Sequence, residues 1–349
     1  MSETLISKRL GVTKTELPPC CLRYVPNDNT ILILGTYKLE DDGSRHGSLD
    51  IYKNDDGQLS FISKEPTASA ILDIKFNPQD DSMLISAHST GEIMVWKYDQ
   101  ENKSLEIKEI MQIFEREYLV TSIVFSITSP NILLATSTSG ESSIVDLYSK
   151  TNETLFTTHE LECWTGNFGE LGELSNVVYT GGDDAKLIAH DLRTMDKIWS
   201  TTSRHHDAGV VSILPSGTSW NNANPHQLWS GSYDDNLRIF DLRLMDKSNP
   251  SLIPGYIPKI LKQENLGGGV WRLIPSPIEG DERVLACCMY DGARVINPLA
   301  DNGFEVSRYF KGDHSSMCYG GDWAEKTNTI ATCSFYDNIL QVWSPNEIE

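Results

Sequence analysis

The sequence lacks the marks of a membrane, secreted or metal-binding protein. No stretch approaches the roughly 18 apolar residues of a membrane span, and Met1–Leu10 has no apolar signal core. The seven cysteines are an odd number and form no C-x-x-C pair, so neither a disulfide framework nor a zinc site is indicated. These absences predict a cytoplasmic protein without a metal or other cofactor.

The usual signatures of catalysis are also missing. The sequence contains no G-x-S-x-G elbow, no H-E-x-x-H, no phosphate-binding G-x-x-x-x-G-K-[ST] and no G-x-G-x-x-G. Its charge is one-sided, with 49 acidic residues against 29 basic ones and a net charge of −20. Such a chain repels nucleic-acid phosphates and anionic lipids, so we predict that it binds neither nucleic acid nor a membrane. A cationic substrate or a partner with a basic patch would instead be attracted.

The sequence does contain a repeat. Seven copies of a turn followed by a short apolar strand recur at intervals of 44 to 56 residues. The residues at the equivalent position in the copies are Tyr52, Trp96, Val145, His190, Phe240, Ile296 and Trp343. This period is typical of four-stranded propeller blades and uses nearly the whole chain. We therefore predict an all-β protein, a seven-bladed WD-repeat β-propeller in one domain over residues 1–349.

The last repeat ends without a fourth strand of its own. Leu5–Thr13 precedes the inner strand of the first repeat and is predicted to supply the missing strand beside Ile339–Trp343. Such an exchange closes the propeller and removes two unpaired edges. Ser216–His226 and Lys247–Gly255 are rich in Gly, Ser, Asn and Pro, and are predicted to be loops.

Function in a propeller tends to lie where the loops entering the inner strands meet the turns between second and third strands. The residues placed there are His159, Trp164, Asp183, His206, Tyr233, Asp234, Trp271, Arg272, Tyr290, His314, Tyr336 and Asp337. A second interpretation stays open for the histidines and aspartates, because blades often use such a pair as a buried hydrogen-bonding scaffold.

Several strings in the second half of the chain carry a family resemblance. The more specific ones are Gly268-Gly-Val-Trp-Arg272 and Cys333-Ser-Phe-Tyr-Asp337, supported by Tyr179-Thr-Gly-Gly-Asp-Asp184 and Tyr319-Gly-Gly-Asp-Trp323. From about His159 to Trp343 the sequence resembles the diphthine methylesterase family of WD-repeat proteins.

The resemblance implies a carboxylic ester hydrolase. Its substrate would be methylated diphthine, a modified histidine of elongation factor 2, and its product the diphthine that is later amidated to diphthamide. The ester neighbours a trimethylammonium group, which aromatic faces and carboxylates bind well. The predicted substrate-binding residues are Trp271, Tyr233, Asp234, Tyr290, Tyr336 and His159.

Ester hydrolysis also needs an activated nucleophile and a stabilised oxyanion. Arg272 is predicted to stabilise the oxyanion, and His206 or His314 to activate water, with an aspartate such as Asp337 orienting the ring. Ser212 and Cys318 stay open as nucleophiles of a covalent route.

Two non-catalytic alternatives remain. Asp191-Leu-Arg193 and Asp241-Leu-Arg243 close consecutive repeats and resemble endings found in substrate receptors of cullin ubiquitin ligases, although a local ion pair in a turn is the favoured explanation. The protein could also escort elongation factor 2 to the amidating enzyme, which is a second candidate partner.

Overall fold

The computed structural model describes residues 5–243 and 258–349. Regular structure within them is β-strand, apart from the short 3-10 helix Gly172–Asn176. The predicted loop Lys247–Gly255 lies outside the described residues. In the part of the chain that is described, no helix has the length and apolar character needed to cross a membrane.

The strands form seven antiparallel four-stranded groups, which we call blades, in the described part of the chain. The first strand described, β1 (Leu5–Lys14), precedes blade 1. The four strands of blade 1 are β2 (Pro19–Val25), β3 (Asp28–Thr36), β5 (Arg45–Asp55) and β6 (Gln58–Thr67). The short β4 (Lys38–Leu39) pairs with the start of β5 and extends the hairpin that leads into it. Blade 2 contains β7 (Ile71–Asn77), β8 (Asp80–His88), β9 (Glu92–Asp99) and β10 (Ser104–Gln112). Blade 3 contains β11 (Val120–Phe125), β12 (Ile132–Ser137), β13 (Ser142–Asp146) and β14 (Thr151–Thr154).

The second half of the chain continues the same plan. Blade 4 contains β15 (Cys163–Phe168), β16 (Val177–Gly182), β17 (Leu187–Asp191) and β18 (Lys197–Ser200). Blade 5 contains β19 (Val210–Pro215), β20 (Gln227–Ser232), β21 (Asn236–Asp241) and β22 (Lys259–Asn265). Blade 6 contains β23 (Val270–Pro275), β24 (Val284–Cys288), β25 (Ala293–Pro298) and β26 (Phe304–Phe310). Blade 7 contains β27 (Cys318–Ala324), β28 (Thr329–Ser334) and β29 (Ile339–Ile348), with β1 as its fourth strand.

The N-terminal strand completes blade 7 as predicted. β1 runs antiparallel to β29, with Arg9 opposite Trp343 and Lys14 opposite Ile339. The other side of β1 makes a short parallel pairing with β26 at Leu5 and Ile6. The ladder satisfies backbone groups that would otherwise form open edges, and β29 extends beyond the predicted Trp343 to Ile348.

Blade 2 shows how the sequence produces these strands. The predicted segments Ala70–Phe76, Ser82–Ala87 and Gly91–Trp96 agree with β7, β8 and β9 apart from residues at their ends. Apolar side chains of neighbouring blades then pack face to face, so that Leu49 of β5 shares a buried cluster with Trp96 of β9. This burial is the main stabilising force of the blades, since each fully buried aliphatic side chain contributes about 1.5–3 kcal/mol.

The backbone contacts divide the chain into two compact units. Unit 1 comprises Met1–Val120, Ile274–Asn297 and Val306–Glu349, and unit 2 comprises Thr121–Leu273 and Pro298–Glu305. Unit 1 thus holds blades 1, 2 and 7 with most of blade 6, and unit 2 holds blades 4 and 5 with nearly all of blade 3. The single domain over residues 1–349 stays a prediction.

Candidate functional site

Irregularities at the start of the inner strands determine where several aromatic side chains point. In blade 4 the register between β15 and β16 shifts between Cys163 and Thr165, so Trp164 has no partner in the ladder. In blade 7 the same shift between Cys318 and Gly320 leaves out Tyr319. A bulge of this kind re-aims the extra side chain, and both bulges place an aromatic ring outside the regular alternation of the strand.

Three aromatic rings of unit 2 lie against one another. The ring centroid of Trp164 is 6.4 Å from that of Tyr233 and 6.0 Å from that of Trp271, and the Tyr233 and Trp271 centroids are 5.9 Å apart. All three side chains are half-buried. We call these three residues the aromatic triad.

The Asp183 carboxylate is hydrogen-bonded to the triad. The indole Nε1 of Trp164 donates a hydrogen bond of 3.1 Å to Asp183 Oδ1. Asp183 also lies beside Gly209, where a Cβ atom would come within 2.6 Å of Asp183 Oδ1 and 3.0 Å of the Tyr233 ring. Glycine at this position therefore lets the carboxylate and the tyrosine ring approach the same stretch of backbone.

A cation also adjoins the triad. The guanidinium carbon of Arg272 lies 6.0 Å from the centroid of the Trp271 ring, and the side chain is half-buried. A guanidinium stays protonated at any physiological pH and can only donate hydrogen bonds. The triad and its neighbours thus offer aromatic faces, a carboxylate and a fixed positive charge within unit 2.

His314 belongs to a hydrogen-bonded chain inside blade 7. His314 Nε2 is hydrogen-bonded to Thr332 Oγ1 at 2.8 Å, and this oxygen accepts from the Trp343 indole at 3.2 Å. On the other side of the ring, His314 Nδ1 is hydrogen-bonded to Ser334 Oγ at 2.6 Å, and Ser334 donates to Asp337 Oδ1 at 2.6 Å. Both ring nitrogens are engaged and the side chain is only 2% exposed. Burial lowers the pKa of His314 to about 4, so the neutral ring serves the scaffold.

His159 occupies the matching position in blade 4. Its Nδ1 lies 2.8 Å from Asp184 Oδ1 and its Nε2 lies 2.9 Å from Thr180 Oγ1. Burial opposes protonation of this ring, but Cys163 and the hydrogen-bonded Asp184 carboxylate outweigh it and raise the pKa of His159. The predicted substrate-binding residue is therefore a buried anchor of the blade.

His206 departs from this pattern because Asp234, the equivalent aspartate, is bound by Arg238 instead. The Arg238 guanidinium binds Asp234 through two hydrogen bonds of 2.9 and 2.7 Å. His206 is 1% exposed, Nε2 contacts Ser230 Oγ at 2.9 Å, and Nδ1 has no hydrogen-bond partner among the described residues. Burial, followed by the Arg238 charge, lowers the pKa of His206 to about 3.

The predicted aspartates are held by the same scaffold. Asp234 accepts from Arg238 and from the Asp207 amide at 2.9 Å, and these bonds outweigh its burial to lower its pKa to about 2. Asp337 accepts from Ser334 and from the Ser315 amide at 2.8 Å. The structure thus places His159, His206, His314, Asp234 and Asp337 in hydrogen bonds that hold the blades together, which favours the scaffold interpretation given above, because buried polar groups need partners. The chemical roles stay predictions.

The remaining predicted rings lie in unit 1. Phe335 packs against Tyr37 at 5.9 Å, Tyr319 at 5.5 Å and Tyr336 at 4.9 Å between ring centroids. Tyr290 and Tyr336 are 62% and 71% exposed. Of the four aromatic residues predicted for substrate binding, Trp271 and Tyr233 therefore belong to the triad, whereas Tyr290 and Tyr336 are exposed side chains of unit 1.

Two candidates for a covalent nucleophile are buried. Ser212 Oγ donates to the Val270 carbonyl at 2.7 Å. Hydrogen bonding to Cys287 and burial raise the pKa of the Cys318 thiol, which disfavours the reactive thiolate. Neither side chain has the access and activation that a nucleophile needs.

The Asp-Leu-Arg endings form ion pairs within their own turns. Arg193 and Arg243 each bind the preceding aspartate, at 2.5 Å to Asp191 and 2.6 Å to Asp241. The local interpretation given above accounts for both. Across residues 5–243 and 258–349, no three His, Cys, Asp or Glu side chains are grouped as a metal site.

Sequence reasoning placed Trp164 and Asp183 near the other candidates but gave them no role. Two signals mark them. Trp164 is the second residue of its inner strand, as is Trp271. Asp183 directly precedes the anchoring Asp184, just as Tyr233 precedes Asp234 and Tyr336 precedes Asp337. The anchoring residue turns into the blade, and the residue before it is left to face outward.

Comparison with known proteins agrees with the fold. A chain in the crystal structure of the mitotic checkpoint complex superposes with a TM-score of 0.69 at 14% identity, covering 99% of this chain and 94% of that one. At this identity the likeness shows the fold alone, and it confirms the β-propeller. No protein-family model matches the chain.

Two fungal proteins are similar over nearly their whole length. The diphthine methyltransferase of Saccharomyces cerevisiae is 42% identical, over 96% of this chain and 97% of its own. That of Schizosaccharomyces pombe is 32% identical, over 98% and 99%. The human diphthine methyltransferase is 24% identical, over 82% of this chain and 60% of its own. The chain therefore belongs to the diphthine methyltransferase family.

Proposed function

We propose that the protein hydrolyses the methyl ester of methylated diphthine on elongation factor 2, in the cytoplasm, and releases diphthine and methanol. The family name refers to diphthine, and the sequence strings resemble methylesterases. The observation that carries the proposal is the aromatic triad with its carboxylate, because diphthine bears a trimethylammonium group.

A trimethylammonium group has no N–H with which to hydrogen-bond. It is recognised by the negative faces of aromatic rings and by nearby carboxylates, and each cation–π contact contributes about 0.5–2 kcal/mol. Trp164, Tyr233 and Trp271 supply three mutually packed rings, and Asp183 supplies the negative charge. Being half-buried, these side chains combine partial desolvation with access for a ligand.

The same residues suit the hydrolysis. In the proposed reaction a water molecule attacks the ester carbonyl carbon, the Asp183 carboxylate takes its proton, and the Arg272 guanidinium stabilises the oxyanion. Collapse of the tetrahedral intermediate breaks the bond between the acyl carbon and the methoxy oxygen, and methoxide leaves as methanol after taking up the proton. The neighbouring ammonium withdraws electrons from the carbonyl and eases the attack.

The test uses elongation factor 2 that carries methylated diphthine. Incubation with the purified protein should remove the mass of one methyl group in exchange for hydrogen. In water labelled with oxygen-18, attack at the acyl carbon puts the label in the new carboxylate, whereas attack at the methyl carbon puts it in methanol. If the mass loss does not exceed that of a control without the protein, the proposal is contradicted.

A second arm addresses the methyl transfer that the relatives' names describe. Elongation factor 2 carrying diphthine is incubated with the protein and S-adenosylmethionine, and a gain of one methyl group is sought. We expect none. A gain here without a loss in the first arm means that the triad serves methyl transfer. The diphthine released by hydrolysis carries the free carboxylate that amidation requires, so we propose the amidating enzyme as the next partner.

A further inference from the structure

The connection between the second and third strands of blade 1 is longer than its counterparts. It runs from Thr36 to Arg45 and includes the short β4, whereas in blade 7 it runs from Ser334 to Ile339. The extra residues continue the ladder beyond the blade, with Lys38 opposite His46 and Leu39 opposite Arg45. We call residues 37–46 the blade 1 hairpin.

Several hydrogen bonds lie within this hairpin. The Glu40 amide donates to the Ser44 carbonyl at 2.9 Å, and Asp42 Oδ1 accepts from the Ser44 amide at 2.9 Å. Arg45 Nε donates to Tyr37 Oη at 2.8 Å, and His46 Nε2 lies 2.7 Å from Glu40 Oε1. A partner that binds such a segment loses little free energy to ordering it.

The hairpin adjoins an aromatic cluster of unit 1 that consists of Phe335, Tyr319 and Tyr336. Tyr37 packs on Phe335, which in turn contacts Tyr336. Tyr319 also packs on Phe335, and the Cys318 amide donates to the Met289 carbonyl at 2.9 Å, so the backbone of Tyr290 lies beside that of Tyr319.

The surface exposes apolar and aromatic side chains beside charged ones. Leu39 is 51% exposed, and Tyr336 and Tyr290 are more exposed still. Contiguous exposed apolar groups rimmed by polar ones mark interaction sites, and tyrosine is enriched among the residues that dominate binding energy.

The charge around this surface selects the partner. Glu40, Asp41 and Asp42 form the tip of the hairpin, whereas its two basic residues, Lys38 and Arg45, lie in the paired strands behind the tip. The whole chain carries a net charge of −20. A negative tip beside apolar groups complements a basic segment that also carries exposed apolar side chains, and it accelerates encounter with it.

We propose that the blade 1 hairpin, with Phe335, Tyr336 and Tyr290, docks a basic and partly apolar segment of the protein substrate. This inference rests on the proposed function for the identity of that substrate. It assigns recognition of the protein to unit 1, separately from the triad that binds the small trimethylammonium group.

Binding and turnover are measured separately to test it. The variants are Leu39→Asp combined with Tyr336→Ala, and the single Asp41→Lys. The matched controls are Tyr148→Ala, at a tyrosine that is 87% exposed in blade 3, and Glu101→Lys, at an exposed acid in blade 2. Each full-length variant is titrated with purified elongation factor 2, and kinetics are measured on that protein and on the methyl ester of glycine betaine.

The double variant should bind elongation factor 2 about tenfold or more weakly and raise KM for the protein by a similar factor. Asp41→Lys should slow association mainly at low salt. Asp41→Lys, at a residue outside the predicted substrate-binding set, should turn over the small ester at the rate of the unaltered protein. Thermal melting checks folding, and Asp41→Lys, at an exposed tip, keeps the test valid if the double variant does not fold.

Affinity for elongation factor 2 that stays within twofold of the controls in both variants overturns the docking proposal. An unaltered protein that binds elongation factor 2 through this surface and hydrolyses neither ester overturns the proposed function while the docking surface stands. The two failures are thus distinguishable.

Discussion

The Trp164 indole donates a hydrogen bond to the Asp183 carboxylate, which joins the start of the inner strand of blade 4 to the turn between its second and third strands. The bulge after Cys163 releases the tryptophan from the ladder, and Asp184 anchors the turn by accepting from the Glu160 amide at 3.1 Å. Because both backbone segments are held by the blade, the carboxylate is positioned beside the aromatic rings without a ligand. This preorganisation underlies the predictions that follow.

Removing a ring of the triad should weaken recognition of the cation. We expect Trp271→Ala to reduce affinity for glycine betaine, which carries the trimethylammonium group and has no ester to hydrolyse, about tenfold, and Trp271→Phe to reduce it less. Calorimetric titration measures this, with Tyr148→Ala as the control variant. For the neutral isostere of this ligand, in which carbon replaces the ammonium nitrogen, the same substitutions should reduce affinity far less. Equal losses for both ligands would mean that the triad contributes only apolar area.

Asp183→Asn keeps an oxygen for the Trp164 hydrogen bond but removes the negative charge. Loss of the general base should lower kcat by about 10²-fold or more, and loss of the counter-charge should raise KM. Asp207→Asn, at an exposed residue that precedes the inner strand of blade 5, is the matched control. An unchanged kcat would remove Asp183 from the proposed reaction and leave it only a binding role.

Arg272 tests the stabilisation of the oxyanion. Replacement by methionine preserves much of the side chain's length and apolar contact with Trp271 but removes the donors. We expect kcat to fall by about 10²–10³-fold, with ligand affinity for the cation unchanged or improved because a neighbouring positive charge is lost. A fall in affinity with kcat intact would assign Arg272 to ground-state binding instead.

Replacing His314 should affect stability more than chemistry. His314→Ala leaves the hydroxyls of Ser334 and Thr332 without their buried partner, which costs about 1–3 kcal/mol of unfolding free energy per unsatisfied group. Urea denaturation measures the loss, and kcat is determined on the folded fraction. We expect kcat within a factor of two. A large fall in kcat with stability unchanged would restore the general-base role.

Stability should fall as the pH falls from neutrality. Burial lowers the pKa to about 4 for His88 and His314 and to about 3 for His190 and His206. The unfolded chain binds protons on these residues near pH 6.5, whereas the native protein does not. The unfolding free energy therefore decreases between about pH 6.5 and 4, by on the order of a few kcal/mol for each histidine.

Denaturant titrations at several pH values in that window measure the slope. His314→Asn should reduce it, because one depressed histidine is removed. Carboxylates with lowered pKa, such as Asp234, lose their stabilising contribution only below about pH 4, so they do not account for the effect. His159, whose pKa is raised, stays protonated in the folded protein across this window, and its stabilising contribution is lost only as the pH rises above about 6.5. A flat profile above pH 4 would contradict the buried neutral histidines.

The architecture could be predicted from the sequence because each repeat carries its own local signals. The alternation in Ala70–Phe76 and the turn at Asn77-Pro78 specify strands through interactions between near neighbours. The absence of a fourth strand after Trp343 likewise predicted that Leu5–Thr13 would pair there. The site was predicted less well, since the same histidine and aspartate positions suit both a scaffold and a catalyst.

By itself the sequence determined seven four-stranded blades, the closing strand, and the aromatic and acidic residues from which a site could form. Only the tertiary structure decided that Arg238 binds Asp234, that His314 is enclosed between hydroxyl groups, and that Trp164, Tyr233 and Trp271 meet beside Asp183. The physical reason is that strand formation depends on periodicity within a few residues. The partner of a polar or aromatic side chain depends instead on bulges, burial and competition among groups that are far apart in the chain.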